Sequence, residues 1–210
     1  MKSNLLPIAK EGWNYIAYSF VAFIVFSILD LELFEFISFL ILMFLIFVFR
    51  NPERELPRFG DNSVVSPVDG TVLAIDEVQD SDFAYKVTID SSYKDVAILR
   101  APIDANMNSI NKQSGTRLSS NSLLSNKLNE NATIVFEDKN SNKVKVFHML
   151  KQSFSEIKID AIKSQNLFQS SRYGVMIDGI TTVYLPQNFR LNITVGNELK
   201  ASESLIGYFS

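Results

Sequence analysis

Few side chains in this sequence have the chemistry of a nucleophile, a general base or a metal ligand. The chain contains no cysteine and one histidine, His148. Thiolate nucleophiles, disulfides and cysteine metal sites are therefore excluded, and a multi-histidine zinc site is not expected. His148 lies in a candidate strand, where an ordinary structural or surface role is expected. Two pairs, Asp69-Gly70 and Asp178-Gly179, are tight-turn signals by residue type alone.

The composition limits the size of the protein and its partners. The chain has 210 residues and a formal net charge of -3, and a long apolar stretch near its start leaves room for one globular domain of about 150 residues. After Arg50, acids and bases are nearly equal in number and no basic cluster occurs. Because nucleic-acid binding needs concentrated Lys and Arg to neutralise phosphate, nucleic acid is not an expected partner.

The apolar stretch predicts a helical hairpin that anchors residues 1–50 in a membrane. An acidic patch of Asp30, Glu32 and Glu35 divides it into arms at residues 13–29 and 33–49. Each arm would reach about 25 Å as a helix, against a hydrocarbon core of about 30 Å. Two short transmembrane spans and a hairpin embedded in one leaflet both fit. A signal peptide would have a shorter apolar region, followed by a cleavage site rather than a second arm.

The charges beside the two arms predict their orientation. Basic residues precede the first arm and follow the second, whereas the connecting turn carries only acids. These basic residues are Lys2, Lys10, Arg50, Arg54 and Arg58. By the positive-inside rule, both ends of the hairpin and the following domain lie on the cytoplasmic side of the cell membrane. A phospholipid membrane is therefore an expected partner.

Residues 51–210 are predicted to form a mainly β domain of the α+β class. Short apolar runs are separated by Gly, Asn, Asp and Ser, which is typical of strands and turns. The candidate strands are residues 70–76, 83–89, 96–99, 132–137, 143–150, 173–177, 181–185 and 190–195. Residues 112–131 are rich in Ser and Asn and are predicted to form a long surface loop, either functional or without a role.

Ordered sequence blocks run through nearly the whole chain. They are residues 6–13 (Leu-Pro-Ile-Ala-Lys-Glu-Gly-Trp), 49–54 (Phe-Arg-Asn-Pro-Glu-Arg), 65–72 (Val-Ser-Pro-Val-Asp-Gly-Thr-Val), 100–108 (Arg-Ala-Pro-Ile-Asp-Ala-Asn-Met-Asn), 129–130 (Asn-Glu), 172–174 (Arg-Tyr-Gly) and 195–203 (Val-Gly-Asn-Glu-Leu-Lys-Ala-Ser-Glu). Their order and spacing resemble those of the short, archaeal-type phosphatidylserine decarboxylases. The resemblance implies mixed sheets, a barrel-sandwich-like C-terminal part closing at residues 195–203, and a homodimer.

The resemblance also implies a chain that makes its own catalytic group. Decarboxylation beside an amine leaves a carbanion, and no ordinary side chain is a sink for its electrons. In the family, a serine attacks the preceding carbonyl, the chain breaks, and the resulting pyruvoyl group accepts the lipid's amine. An aspartate and a histidine assist that serine, and no metal is expected.

The positions that match this arrangement are only partly kept. Asp69 matches the aspartate, although a turn aspartate bonded to its own backbone would look the same. Asn106 stands at the histidine position and cannot take up a proton near neutral pH as imidazole can. The serine falls on Gly179 or Ile180, depending on the alignment, and neither residue carries a hydroxyl.

Two threonines are the nearby replacements for the serine. Thr181 or Thr182 would give a 2-oxobutanoyl group, although a shift of one residue in a strand turns the side chain to the other face. Asp104 and Asn108 persist beside Asn106 and are expected to contact substrate. Several basic residues of the family's blocks are replaced, so fewer are expected to hold a lipid phosphate.

The losses favour a member of this phospholipid-metabolism family that does not mature itself. Such a protein would lack the pyruvoyl group and would bind lipid or pair with an active decarboxylase paralogue. The alternative is an active enzyme that converts phosphatidylserine to phosphatidylethanolamine and CO2 with Thr181 or Thr182 as the precursor. A scaffold that kept only the fold is a third reading. Without self-cleavage, Asp69→Ala is expected to leave a stable fold unless Asp69 caps its turn.

Overall fold

The computed structural model describes residues 6–54, 57, 59–60, 62–78, 82–120 and 122–210. The chain divides into two compact units, Met1–Glu53 and Arg54–Ser210. The first unit includes residues 1–50, for which a membrane anchor is predicted. Lys2 and Arg58, which entered the orientation prediction, lie outside the described residues.

The first unit contains a helical hairpin. A short 3-10 turn, Lys10–Gly12, leads into helix α1, Trp13–Ile28, and helix α2 covers Glu32–Val48. Asp30, between the helices, has a φ of 54°, a left-handed conformation that suits a tight reversal. Aromatic side chains pack between the helices, with ring centroids 6.0 Å apart for Phe23–Phe39 and 5.4 Å apart for Phe26–Phe34.

The two ends of the hairpin are tied to each other. Ala9 N donates to Phe49 O at 2.8 Å, and Asn51 N donates to Pro7 O at 2.7 Å. Gly12 packs directly on Phe49, because a Cβ at this position would lie 2.6 Å from Phe49 Cβ. The block at residues 6–13 therefore contacts the start of the block at residues 49–54, and the close approach requires glycine.

The lengths of the two helices decide whether either of them could span a membrane. Helix α1 has 16 residues and α2 has 17. Within the described part of the chain, no helix combines the length and the apolar character needed to cross a membrane. Many large apolar side chains of the hairpin are nevertheless exposed. Those at least half exposed include Phe20, Val21, Ile28, Leu33 and Phe36.

The second unit is mainly β, as predicted. Its strands are β1 Ser63–Val65, β2 Gly70–Glu77, β3 Tyr85–Ser91, β4 Ile98–Arg100, β5 Ala105–Gln113, β6 Asn131–Glu137, β7 Lys143–Leu150, β8 Lys158–Ile159, β9 Asn166–Leu167, β10 Arg172–Val175, β11 Gly179–Leu185, β12 Phe189–Leu191, β13 Glu198–Leu199 and β14 Leu205–Phe209, and helix α3 covers Ser125–Leu128. The largest sheet has the order β13-β2-β3-β11-β7-β6-β5-β9. Two three-stranded sheets have the orders β1-β14-β12 and β4-β10-β8.

The surface loop predicted at residues 112–131 overlaps strand β5 at its start. Strand β5 continues to Gln113, so the first residues of the predicted loop lie in the sheet. The rest forms a connection that carries α3 and a parallel bridge between Thr116 and Asn129. The strand was missed because its residues are mostly polar and exposed, and the buried ones are Ala105 and Met107.

The core-facing side chains of the two central strands form the candidate site. The core-facing residues of β7 are Val144, Val146, His148 and Leu150, and those of β11 are Thr181, Val183 and Leu185. His148 and Thr181 are Cα partners in adjacent strands. They therefore project to the same face of the sheet and can touch.

Candidate functional site

Four of the sequence blocks meet at the bend before β2. Arg100 N donates to Pro67 O at 2.9 Å, which joins the block at residues 100–108 to the block at 65–72. Ser202 N donates to Ser66 O at 2.9 Å and brings in the closing block at residues 195–203. Strand β10 adds the block at 172–174, since Arg172 pairs with Arg100. Segments that are far apart in the sequence thus surround Asp69.

Both carboxylate oxygens of Asp69 are hydrogen-bonded. The Arg54 guanidinium donates to Oδ2 at 2.6 Å, and Ala201 N donates to Oδ1 at 2.8 Å. The side chains of Arg54 and Asp69 are only 9% and 11% exposed. Arg54 also approaches Glu203 at 3.4 Å. Asp69 therefore serves as a counter-ion and holds the C-terminal turn. It lies in the bent connection between β1 and β2, and Gly70 begins β2, so the tight turn predicted at this pair is not formed.

Basic side chains are concentrated around Asp69. Burial lowers the pKa of Arg100, and the nearby charges of Arg54 and Arg172 lower it further, whereas Asp69 and Glu203 act in the opposite direction. Only charges that lie close together interact in this way. The charges of Arg54, Arg100 and Arg172 are thus close enough to influence one another at this corner, whereas the expected depletion of basic residues concerns other positions and stays a prediction.

Gly179 begins β11 and lies beside the bend at Asp69. It pairs with Ser91 of β3, and Ser91 Oγ donates to the main-chain oxygen of Asp69 at 2.6 Å. A Cβ on Gly179 would lie 2.6 Å from both Met149 O and Met176 Sδ. Observed Cβ atoms essentially never come that close to a neighbour. This position therefore lacks a hydroxyl and also the space for a side chain.

The residues after Gly179 alternate between the two faces of the sheet. Ile180 and Thr182 project to one face and Thr181 to the other. Thr181 is fully buried and faces His148, whereas Thr182 is 6% exposed and has Phe147 as its partner on β7. Of the two threonines proposed as precursors, Thr181 is the one that meets a possible base.

His148 links Thr181 to a tyrosine. Its Nδ1 lies 2.8 Å from Thr181 Oγ1, and its Nε2 lies 2.7 Å from the Tyr173 hydroxyl. All three residues are completely buried. Burial lowers the pKa of His148 to about 3 and raises the pKa of Tyr173, so both side chains are neutral at pH 7.

The neutral imidazole has one donor and one acceptor nitrogen, and the tautomer decides which nitrogen is the donor. With the proton on Nδ1, His148 donates to Thr181. With the proton on Nε2, His148 accepts from Thr181, which is the arrangement of a nucleophile and its base. The surface role allowed for His148 is wrong because the residue is buried. The alternation of β7 was the signal that placed it inside.

Asn106 lies far along the sheet from this network. The registers of β5, β6 and β7 place Lys112 in the same row as His148, whereas Asn106 pairs with Glu137 at the other end. The interval from Asn106 to Lys112 corresponds to about 20 Å of strand. Thus the structure places Asn106 away from Thr181 and His148.

The two residues expected to contact substrate are exposed near Asn106. Asp104 accepts a hydrogen bond from Gln169 N, and Asn108 Nδ2 donates to Glu137 Oε2 at 2.8 Å. These bonds join them to a loop and to the neighbouring strand β6. Their contact with a substrate stays a prediction.

A second charged group borders Gly179. Lys151 Nζ contacts Asp178 Oδ1 at 3.1 Å and also donates to Asp90. Burial alone would lower the pKa of Lys151, but the bonds to the two carboxylates outweigh it and raise the pKa. Asp178, which was interpreted as a turn residue, thus also belongs to an ion-pair group. In the described ranges, no set of three or more acidic or histidine side chains could hold a metal ion.

Comparison with known proteins agrees with the resemblance. The protein-family model described as phosphatidylserine decarboxylase matches residues 41–207. A phosphatidylserine decarboxylase proenzyme of Desulfotalea psychrophila is 28% identical over 211 residues, which cover 96% of this chain and 96% of the relative. One of Geotalea daltonii is 29% identical over 212 residues, or 99% of each chain. One of Ehrlichia canis is 26% identical over 216 residues, or 99% of this chain and 94% of the relative.

Proposed function

Because the chain belongs to the phosphatidylserine decarboxylase family, we propose that it is a member of that family which does not form the pyruvoyl group. The observation that carries this proposal is the packing at Gly179. Met149 and Met176 occupy the space of any side chain there, so a serine would require the neighbouring main chain to move. The residues present do not fit the family's self-made cofactor.

Asp69 and Ile180 support the same proposal. The Asp69 carboxylate is engaged by Arg54 and by Ala201 N, and those contacts stabilise the fold without a hydroxyl to activate. Ile180, at the alternative serine position, is apolar and projects to the opposite face from Thr181. Neither serine position therefore carries a nucleophile.

A second candidate is self-processing at Thr181, favoured by the contact between Thr181 and His148. In this route His148 Nδ1 takes the hydroxyl proton, Oγ1 attacks the carbonyl carbon of Ile180, and the Ile180–Thr181 amide becomes an ester. Loss of the Cα proton then breaks the Cβ–Oγ1 bond and frees the carboxylate of Ile180. Water replaces the nitrogen, which leaves as ammonia, and a 2-oxobutanoyl group remains.

The mass of the purified full-length protein separates the two candidates. We expect one polypeptide of 23.8 kDa with no carbonyl that reacts with hydrazine. A chain broken between Ile180 and Thr181 would contradict this proposal. If Thr181→Val then abolished the break and Thr182→Val did not, the second candidate would replace it, because Thr181 alone of the two meets His148.

We further propose that the hairpin of α1 and α2 embeds in one leaflet of the cell membrane, with the domain on the cytoplasmic side. The support is the large number of apolar side chains that the hairpin exposes, which include Tyr18, Ile28 and Leu33. Lys10 and Arg50 flank the helices and the turn between them is acidic, a distribution that favours cytoplasmic ends.

Lipid quenching of a tryptophan tests the membrane proposal. Trp13 is the sole tryptophan, so Trp13→Phe combined with Phe36→Trp places a single reporter on α2. In vesicles that contain brominated phosphatidylcholine, we expect its emission to fall about twofold relative to unbrominated vesicles. Unchanged emission would overturn the membrane proposal but would leave the proposal on self-processing intact.

Without a pyruvoyl group, the protein would act by holding phospholipid or by pairing with a relative that processes itself. Isolation of the protein from its native membranes distinguishes these roles. A co-purifying decarboxylase supports pairing, whereas bound phospholipid without a second polypeptide supports lipid binding.

A further inference from the structure

Three leucines are exposed on the connection between β5 and β6. We call the described residues 114–120 and 122–128 the leucine loop. Leu123 is 95% exposed, Leu124 54% and Leu128 46%. Single exposed leucines are ordinary on protein surfaces, but here two neighbours and the end of the short helix α3 present apolar groups together.

The base of the leucine loop is held firmly, so the leucines are presented outward by a fixed support. Asn129 Nδ2 donates to Leu118 O and to Leu150 O, both at 2.8 Å, and Asn129 Oδ1 accepts from Leu118 N at 2.8 Å. Thr116 N donates to Leu128 O at 2.7 Å. The Asn-Glu block at residues 129–130 thus holds the two ends of the loop together.

The charges of this segment have one sign. Residues 112–129 contain Lys112, Arg117 and Lys127 and no acid. The buried Glu130 lies 3.3 Å from Lys112 and 3.5 Å from Arg117, and Glu156 accepts a hydrogen bond from Lys112 at 2.9 Å. Lys112 and Arg117 are therefore paired with carboxylates. Lys127 lies on the exposed side of α3, between the exposed leucines in the sequence.

We propose that the leucine loop is a second membrane contact, by which the β domain docks on an anionic phospholipid bilayer. Its exposed leucines suit the acyl boundary, and the exposed positive charge of Lys127 suits anionic headgroups. The contact goes beyond the anchoring of the hairpin, because it belongs to the other unit of the chain. The inference rests on the proposed membrane location, because the hairpin and the leucine loop would contact the same bilayer.

A matched pair of reporters tests the loop in the full-length protein. Both variants carry Trp13→Phe, and one adds Leu123→Trp while the other adds Phe168→Trp. Phe168 is 74% exposed, but its segment, residues 160–169, has one acid and one base. In vesicles of phosphatidylglycerol and brominated phosphatidylcholine, the Leu123→Trp variant is expected to lose about half its emission, and the Phe168→Trp variant is expected to be unchanged.

The contribution of the positive charge to membrane binding is tested in the same vesicles. Omitting phosphatidylglycerol, or adding Lys127→Glu to the Leu123→Trp variant, should reduce the quenching about twofold. Circular dichroism spectra that match those of the parent protein confirm the fold of each variant.

The outcomes separate this inference from the membrane proposal for the hairpin. Equal quenching of the Leu123→Trp and Phe168→Trp variants would overturn the loop contact, even where the Phe36→Trp reporter on α2 is quenched. Quenching at Leu123→Trp without quenching at Phe36→Trp would keep the loop contact and remove the hairpin anchor. Protection of Leu123→Trp from acrylamide without bromolipid quenching would indicate a protein partner and would overturn the proposal.

Discussion

Replacing Asp69 with alanine is expected to lower the free energy of unfolding by about 3 kcal/mol. The substitution leaves the nearly buried Arg54 with Glu203 as its carboxylate partner and removes the acceptor of Ala201 N. The loss of the shorter ion pair of a nearly buried charge and an unsatisfied backbone N–H are both costly. Urea unfolding of the full chain in mild detergent, followed by circular dichroism, measures the change.

The matched control is Asp69→Asn, which keeps an oxygen for Ala201 N but loses the charge opposite Arg54. It should fall between the alanine variant and the parent protein. A change of less than about 0.5 kcal/mol for Asp69→Ala, typical of surface positions, would contradict the structural role. It would also restore the expectation, drawn from the sequence, that the fold tolerates this substitution.

Acidification is expected to destabilise the protein through His148, by up to about 1.4 kcal/mol for each pH unit between pH 6.5 and about 3. The folded-state pKa is lowered to about 3 by burial, whereas an unfolded histidine titrates near 6.5. Between these values the unfolded state binds more protons. The stability is therefore complete above pH 6.5 and declines as the pH falls.

The difference between the parent protein and His148→Gln isolates this effect. Glutamine retains a donor and an acceptor near Thr181 and Tyr173 but does not titrate, and the carboxylates contribute equally to both proteins. We expect the parent to lose stability more steeply with falling pH when both are unfolded in urea at a series of pH values. Parallel profiles would mean that His148 takes up its proton in the folded state.

The regular part of the β domain was predictable because alternation is a local signal. Strand β7 carries Val144 and Val146 two positions apart, and β11 carries Val183 and Leu185 in the same way. The predictions at residues 143–150 and 181–185 agree closely with these strands. Strand β5 lacks such a pattern. Its Asn, Ser and Lys residues favour other structures in isolation, and pairing with β6 and β9 decides its conformation.

The chemistry of the candidate site was less predictable because it depends on contacts between distant segments. Residue type predicts a turn at Asp69, but its partner Ala201 lies in the closing block, and only the fold brings them together. Likewise, the sequence shows that Gly179 lacks a hydroxyl, whereas the packing of Met176 that excludes a side chain follows from tertiary structure. The pairing of His148 with Thr181 required the register of two strands.

The position of β11 has a consequence for any cut made in this strand. It lies between β3 and β7 and pairs with both along most of its length, while the segment after it supplies β12, β13 and β14. Scission of one peptide bond near residue 180 would leave those ladders in place. The two fragments would therefore elute together in size-exclusion chromatography and separate only in denaturant, because their strands belong to the same sheet.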